Sequence, residues 1–401
     1  MDYPCHADDS RCRGAPMRRP DFKAPECPLS TLQPGEAAPH AGLNPDHDPN
    51  LVDAPGMTAC PVEVRMQDAA GADRLSALID GYQAGALLYT AIKLDLPDHL
   101  LQPTATAAIA SRLNLSAPHL ARLLRALTGI GVCVETAPGT YALTREGQLL
   151  TRDAGLPLRE QAILAVEQYW PSWAALEHSV ATGQTAFRHL YGMDPWQYRR
   201  DHPEQGAVFQ AWLAKETRAV SEAVVADLDL AGAETVVDIA AGGGSLAAAL
   251  LAADPRLVVS LFDLPEVLER TRLGLSLAPD HASRCRWIPG DFFTAVPSGH
   301  DLYLIKSVLH DWDDAHCLQI LGRCREAMSQ AARLVLIERR LPEYPAIDHR
   351  VSVLDICMMA LHGGRERSLT EYRELLRRSG FALQAVRDGS TGFAMLEAVP
   401  G

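Results

Sequence analysis

The sequence predicts an α/β protein of two domains. A mostly α-helical domain with a winged-helix unit precedes a largely parallel sheet that has helices on both faces and an antiparallel last strand. Residues 71–226 carry apolar side chains mainly at helical intervals, and from residue 233 onward apolar β-rich runs alternate with helical stretches. The chain ends in two strand-like runs about a tight turn. Strand–helix alternation favours parallel strands because each crossover returns the chain to the same end of the sheet.

Length and composition limit the function classes. The 401 residues are enough for two domains, and residues 1–70, rich in Pro, Asp, His and small residues, predict a disordered or loosely packed extension. The net charge of −13 disfavours binding to the phosphates of nucleic acids. The nine cysteines are scattered and form no C-x-x-C pair, which predicts a protein without a structural metal site. Residues 1–19 show no secretory signal and the sequence shows no membrane span, so we expect a cytoplasmic protein.

The helical domain is predicted to extend over residues 71–226. Residues 74–93 form its first long helix, with glycines and small residues where another helix could approach closely. Two short helices follow at 106–114 and 117–129, and a Pro-Gly hairpin at 132–144 completes a winged helix.

A winged helix also raises a DNA-binding interpretation. The second helix of the unit offers only Arg122 and Arg125 as cations, and residues 98–150 carry four Arg against one Asp and two Glu. This nearly neutral patch lacks the phosphate-neutralising charge that DNA-binding domains need. A packing and dimerisation module is therefore the favoured interpretation.

The α/β domain is predicted over residues 227–401. Its strands are predicted at 235–240, 257–263, 285–291, 301–308 and 333–339. Residues 381–399 read as two strands about an Asp-Gly-Ser-Thr-Gly turn, which predicts a hairpin that closes the sheet with an antiparallel strand.

A glycine-rich loop follows the first of these strands. Residues 240–244 read Ala-Ala-Gly-Gly-Gly and lead into a helix of small residues, so backbone N–H groups can approach a ligand closely. Asp263 ends the next strand, 21 residues after Gly242, where a carboxylate can accept hydrogen bonds from ribose hydroxyls. Asp291 ends the third strand beside two aromatic rings. These positions predict an adenosine-containing cofactor, although the loop also satisfies G-x-G-x-x-A and so leaves NAD open.

His310 follows the fourth strand in the segment DLYLIKSVLHDWDD, where open α/β sheets place their ligand chemistry. A histidine there can take the proton of a hydroxyl as the oxygen attacks an electrophile. Such a base must be oriented by a carboxylate, and either Glu338 or Glu366 could do this. Two alternatives remain open: a helix-entry role followed by an acidic capping run, and metal binding by His310 with Asp311, Asp313 and Asp314.

Six motifs in order carry a specific resemblance: VVDIAAGGGS, LFDLPEVLE, PGDFF, KSVLHDWDD, LIERRLPE and GGRERS. Over about residues 72–399 the chain resembles the caffeic acid and acetylserotonin type of small-molecule O-methyltransferase. The resemblance implies a Rossmann-like domain that binds S-adenosylmethionine without a metal, a dimerisation domain that makes a homodimer, and a small aromatic hydroxylated substrate. The alternative interpretation is a relative with the same fold that performs N-methylation or chemistry other than methyl transfer.

The resemblance also assigns residues. It implies His310 as general base flanked by Glu338 and Glu366, with Asp311 and Trp312 beside the base. For the cofactor we expect Asp263 at the ribose, Asp291 and Phe292 at the adenine, and Lys306 at the far end of the site. The same site is expected to include Asp238, Gly242, Gly244 and Leu264.

The chain departs from the family at residues 240 and 241. Alanine stands where the family usually has glycine. We expect alanine to be tolerated only if its φ is negative, and its methyl group to crowd the methionine end of the cofactor.

An aromatic substrate requires apolar walls. Some of the candidates lie at helical spacings of three and four, which is also the pattern of a buried core stripe. The candidate substrate-binding residues are Trp170, Phe209, Trp212, Leu213, Trp312, Met358, Met359 and His362.

Overall fold

The computed structural model describes residues 69–344 and 346–401. The predicted extension over residues 1–70 therefore lies, except for its last two positions, outside the described residues. None of the described helices is long and apolar enough to cross a membrane.

The first part of the described chain contains a series of helices and a small sheet. The helices are α1 (Ala69–Lys93), α2 (Leu96–His99), α3 (Thr106–Leu113), α4 (Ala117–Gly129), α5 (Leu158–Leu164), α6 (Trp170–Ala174), α7 (Leu176–Thr182), α8 (Ala186–Tyr191), α9 (Pro195–Asp201) and α10 (Pro203–Asp227). The strands are β1 (Thr104–Ala105), β2 (Cys133–Ala137) and β3 (Thr140–Leu143).

The predicted winged-helix arrangement is confirmed. Strands β1, β3 and β2 form an antiparallel sheet in that order beside α3 and α4. Helix α4 buries Leu120, Leu124 and Leu127, which are four and three residues apart and so share one helical face. They pack with Ile109 of α3 and Tyr141 of β3 in a single core.

The second part of the chain contains the larger sheet. Its strands are β4 (Thr235–Ile239), β5 (Val258–Asp263), β6 (Cys285–Pro289), β7 (Leu302–Lys306), β8 (Arg333–Glu338), β11 (Phe381–Asp388) and β12 (Ala394–Pro400), and a short pair consists of β9 (Arg340–Leu341) and β10 (Arg367–Ser368). The helices are α11 (Ser245–Ala253), α12 (Pro265–Gly274), α13 (Pro279–Arg284), α14 (Asp314–Ala327), α15 (His349–Leu361) and α16 (Leu369–Arg378).

The sheet order is β11-β12-β8-β7-β4-β5-β6. Strands β4 to β8 pair in parallel, whereas β12 is antiparallel to both β8 and β11, so the predicted antiparallel closing hairpin is confirmed. Successive side chains of β4 point to opposite faces, which places Val236 in one core and Val237 and Ile239 in the other.

This topology places the site. The chain adds β5 and β6 on one side of β4 and β7 and β8 on the other, so the strand order reverses between β4 and β7. Ligands of open α/β sheets bind beyond the carboxyl ends of the strands at such a reversal. The glycine loop follows β4 and His310 follows β7, and both therefore lie at this edge.

Candidate active site

A cavity of about 1370 Å³ lies at this edge of the sheet, between the strand ends and the helices α9 and α10. Residues of the glycine loop line it together with Asp238, Asp263, Asp291 and Lys306. On the helical side its lining includes Arg199.

Two residues of the loop require glycine for their backbone conformation, and one of them also because it is closely packed. Gly242 and Gly244 have φ values of +52° and +71°, in the left-handed region that side chains disfavour. Gly244 is also packed closely, because an added Cβ would lie 2.7 Å from Leu275 and 2.8 Å from Leu261. The glycines therefore hold the turn in its shape and allow helix α11 to pack against the sheet.

Ala240 does not meet the condition under which alanine was expected to be tolerated. Its φ is +60°, and it lines the cavity. A left-handed conformation costs a residue with a side chain roughly 1–2 kcal/mol. The first residue of the loop thus carries strain at the place where the cofactor is expected to bind.

Ala240→Gly is expected to raise the free energy of unfolding by about 0.5–1 kcal/mol. Relief of the left-handed strain outweighs the roughly 0.4–1 kcal/mol by which glycine favours the unfolded chain. Chemical denaturation measures this change. Ala252→Gly, at an exposed position of α11, serves as the matched control and should destabilise by about 1 kcal/mol. Equal destabilisation by both substitutions would refute the strain.

Two aspartates lie at the base of the loop. Asp263 fixes the turn, because its carboxylate accepts the N–H groups of Gly242 at 2.8 Å and Leu264 at 2.7 Å. Asp238 is only 3% exposed, and its Oδ2 has no hydrogen-bond partner among the described residues. Burial raises the pKa of Asp238 to about 7, although the Lys306 ammonium opposes the shift. The oxygen is thus a buried acceptor beside the cavity.

The other predicted cofactor residues also line the cavity. Asp291 accepts the N–H of Phe293 at 2.8 Å, and Phe292 presents an aromatic side chain next to it. The ammonium of Lys306 lies 4.0 Å from a Glu216 carboxylate oxygen, and burial lowers its pKa.

These residues fit S-adenosylmethionine. The unpartnered oxygen of Asp238 suits the ammonium group of a methionine moiety, since a buried acceptor requires a donor. Asp263 can accept from ribose hydroxyls with its remaining lone pairs, and Phe292 offers an apolar surface for an adenine ring. Gly242 and Leu264 also line the cavity, whereas Gly244 supports the turn from behind it.

His310 lies in a single 3₁₀ turn, Leu309–Asp311, directly after β7. Its Nδ1 is 2.7 Å from Oε1 of Glu366, whose side chain is fully buried. Its own side chain is 15% exposed, and its neighbours Asp311 and Trp312 line the cavity. His310 itself is not among the residues that line the cavity, so its imidazole lies behind the lining residues Val308 and Asp311, with Nδ1 held by Glu366.

The two glutamates have different places. Glu338 accepts the backbone N–H groups of Val308 at 3.0 Å and Leu309 at 2.8 Å, so it holds the turn rather than the ring. Glu366 is the carboxylate that contacts the imidazole. Of the two orienting carboxylates that the sequence left open, the geometry favours Glu366.

The carboxylates around His310 dominate its electrostatics. Burial disfavours the charged imidazole, but Asp311, Glu338 and Glu366 outweigh it and raise the pKa of His310 to about 10. Burial also raises the pKa of Glu338 to about 7 and of Asp311 to about 6. Asp311 lies between two imidazoles, with its Oδ1 3.9 Å from His310 Nε2 and 3.4 Å from His362 Nδ1.

The acidic residues after His310 have structural partners. Asp313 is the N-cap of α14 and accepts the N–H of His316 at 2.9 Å. Asp314 pairs with Arg365 and with the buried Arg367. Among residues 69–344 and 346–401 there is no group of three side chains suited to hold a metal ion. The capping interpretation thus applies to Asp313, two residues beyond the turn that carries His310.

The predicted substrate residues divide into two sets. Those that line the cavity are Phe209, Leu213, Trp312 and His362. Those outside its lining are Trp170, Trp212, Met358 and Met359. Trp170 instead contacts the Tyr82 ring at 6.0 Å, and Met358 is buried in α15. The spacings alone could not separate these sets, because wall and core residues share one helical periodicity.

The sequence did not predict two residues that hold the His310 turn in place. Arg367 is fully buried and donates to the carbonyl oxygens of Leu309 and Trp312, each at 2.8 Å. A Cβ on Gly364 would overlap the His310 carbonyl oxygen and the backbone of the next residue. The paired glycines of GGRERS were the available signal, since glycine marks a close approach of two backbone segments.

Comparison with known proteins identifies the family. Residues 173–382 match an O-methyltransferase domain, and residues 76–153 match an O-methyltransferase dimerisation domain. A phenazine O-methyltransferase of Lysobacter antibioticus is 37% identical over 82% of this chain and 98% of the relative. The O-demethylpuromycin-O-methyltransferase of Streptomyces alboniger is 36% identical over 82% of this chain and 89% of the relative. A methyltransferase of calicheamicin biosynthesis, solved with S-adenosylhomocysteine, has a TM-score of 0.71 at 28% identity and covers 84% of this chain and all of its own.

These matches confirm the resemblance carried by the motifs. The glycine loop lies inside the matched O-methyltransferase domain, which sets the NAD interpretation aside. The winged-helix unit lies inside the matched dimerisation domain, which sets the DNA-binding interpretation aside. The chain therefore belongs to the O-methyltransferase family and is an enzyme that uses S-adenosylmethionine.

Proposed function

We propose that this enzyme transfers the methyl group to a hydroxyl of a small aromatic molecule, with His310 as the general base. The observation that carries the proposal is the 2.7 Å contact between His310 Nδ1 and Glu366, in the turn whose residues Val308, Asp311 and Trp312 line the cavity. The aromatic side chains Phe209 and Trp312 line the same cavity and suit a flat acceptor. The relative that acts on a phenazine supports an acceptor of this class.

The roles of the residues follow from their contacts. S-adenosylmethionine supplies, when bound, a methyl group already activated by a positively charged sulfur. Ionised Glu366 can only accept a hydrogen bond, so it assigns the proton to His310 Nδ1 and leaves Nε2 to take the proton of the acceptor hydroxyl. Asp311, 3.9 Å from Nε2, stabilises the imidazolium that results. The aromatic walls exclude water and hold the acceptor in line.

Two measurements test this function. S-adenosylhomocysteine at about 100 times its Kd should stabilise the chain by roughly 2.7 kcal/mol in a thermal-shift experiment. A donor with an isotopically labelled methyl group should then label phenols, with anilines of the same ring as the matched comparison. Methylation of the anilines alone would replace the proposal with N-methyl transfer, and stabilisation without any labelled product would refute methyl transfer to small aromatics.

We also propose that the enzyme is a homodimer formed through helix α1. Residues 72–84 of this helix are exposed, including Leu75, Leu78, Ile79 and Tyr82, with exposed fractions of 57%, 71%, 74% and 55%. These side chains recur three and four residues apart and so share one face. An apolar face of this kind marks an interaction surface, and it lies in the matched dimerisation domain.

Ile79→Asp is expected to convert the dimer to a monomer, because a charge on the apolar face would be buried without a partner. Light scattering coupled to size-exclusion chromatography measures the solution mass. Leu273→Asp, at a 91% exposed apolar residue of α12, is the matched control and should keep the dimer mass. A dimer mass for Ile79→Asp would rule out α1 as the interface.

A further inference from the structure

Arg199 is a buried arginine in the wall of the active-site cavity. It belongs to α9, and the residue is 7% exposed. The guanidinium carbon lies 3.5 Å from the ring centre of Phe209 and 5.1 Å from that of Trp196. The guanidinium thus stacks on aromatic rings at the cavity surface.

The charge of Arg199 lacks a partner in the part of the chain that the structure describes. Nε donates to Gln168 at 3.2 Å, but neither terminal nitrogen has a hydrogen-bond partner. No described carboxylate oxygen lies within ion-pair distance, and the charge of Asp311 acts on it only from further away. Burial lowers the pKa of Arg199, yet a guanidinium stays protonated in proteins. An unpaired buried charge with four free N–H donors is costly unless a ligand satisfies them.

We propose that the methyl acceptor is an aromatic hydroxy acid whose carboxylate binds Arg199. This inference rests on the proposed function and names its substrate class. The planar fork of a guanidinium matches a carboxylate with two parallel hydrogen bonds, and its stacking on Phe209 suits a carboxylate that continues a flat ring.

The position of Arg199 agrees with a hydroxyl at the base. The Trp196 ring beside it contacts the His362 ring at 5.1 Å. His362 is 3.4 Å from Asp311, which in turn is 3.9 Å from His310. Arg199 and His310 are therefore linked by a series of contacting side chains, and the inference requires an acceptor that spans from a carboxylate at the first to a hydroxyl at the second.

The test compares hydroxybenzoic and hydroxynaphthoic acids with their primary amides, which keep the ring, the hydroxyl and nearly the same shape. For the unmodified enzyme we expect kcat/KM at least 100-fold higher with the better acid than with its amide. Arg199→Gln should remove that 100-fold preference, so that the acid and its amide have kcat/KM values within 3-fold of each other. Arg199→Lys should restore only part of it, because an ammonium lacks the fork. Arg218→Gln, an exposed arginine of α10, is the control and should keep the preference.

Calorimetry with the S-adenosylhomocysteine complex gives a readout besides turnover. The acid should bind the complex of the unmodified enzyme at least 100-fold more tightly than the amide, and Arg199→Gln should lose this difference while its affinity for S-adenosylhomocysteine is unchanged. Equal binding of acid and amide, or loss of S-adenosylhomocysteine binding in Arg199→Gln, would overturn the inference. Acid-selective binding without any methylated product would instead contradict the proposed function and leave the carboxylate site in place.

Discussion

Replacing His310 with glutamine is expected to lower kcat by about 10²–10⁴, the range that a general base contributes. Glutamine keeps a hydrogen-bonding side chain beside Glu366 but cannot take up a proton at Nε2. Binding of S-adenosylhomocysteine, measured by calorimetry, should be unchanged because the glycine loop, Asp238 and Asp263 stay in place. Initial rates of labelled methyl transfer measure the loss.

The pH profile separates loss of a base from a general disturbance of the site. Asp311, Glu338 and Glu366 raise the pKa of His310 above its ordinary 6.5, to about 10, so the imidazole is protonated and inactive as a base below that pKa. The kcat/KM of the unmodified enzyme should therefore rise with pH along a limb that lies above 6.5. In His310→Gln this limb should disappear, leaving only the ionisation of the acceptor hydroxyl itself.

The control for this substitution is His349→Gln, at an exposed position at the start of α15. It should keep both the rate and the rising limb. Unchanged turnover in His310→Gln would remove His310 from the mechanism, whatever its distance from Glu366.

Patterns that depend on sequence neighbours predicted much of this structure. The β-rich runs became the strands of the large sheet within a few residues, because strand and helix periodicities are local. Asp263 and Asp291 could be placed at one edge from sequence, since the carboxyl ends of parallel strands converge there. The glycine loop followed from the same reasoning, as did the position of His310 after the fourth strand.

Features that depend on tertiary contacts could not be predicted. Glu338 and Glu366 were equivalent as carboxylates near His310, and only the fold shows that one holds the backbone and the other the ring. Arg199 and Arg367 carry the residue type that usually marks a solvated surface, and their burial depends on distant segments. The positive φ of Ala240 likewise comes from the turn around it and not from its own preference.

Gly364→Ala is expected to lower kcat/KM by about 10²-fold, because a displacement of about 1 Å at a catalytic group has that effect. The added Cβ would overlap the carbonyl oxygen of His310 and lie 2.6 Å from the backbone nitrogen of Trp312. Backbone cannot rotate aside as a side chain can, so the turn that carries the imidazole must move. The φ of Gly364 is not positive, so the effect is steric and not conformational.

Two measurements distinguish a moved base from a damaged fold. Gly364→Ala should bind S-adenosylhomocysteine with unchanged affinity, since the cofactor residues belong to other segments. The rising limb of its pH profile should shift, because the contact between His310 and Glu366 is altered. Gly322→Ala is the matched control: the same methyl group enters open space in the adjacent helix α14 and should leave kcat/KM unchanged. Full activity in Gly364→Ala would mean that the His310 turn can move without misaligning the imidazole. The rigid support of this turn by Gly364 and Arg367 would then have no part in catalysis.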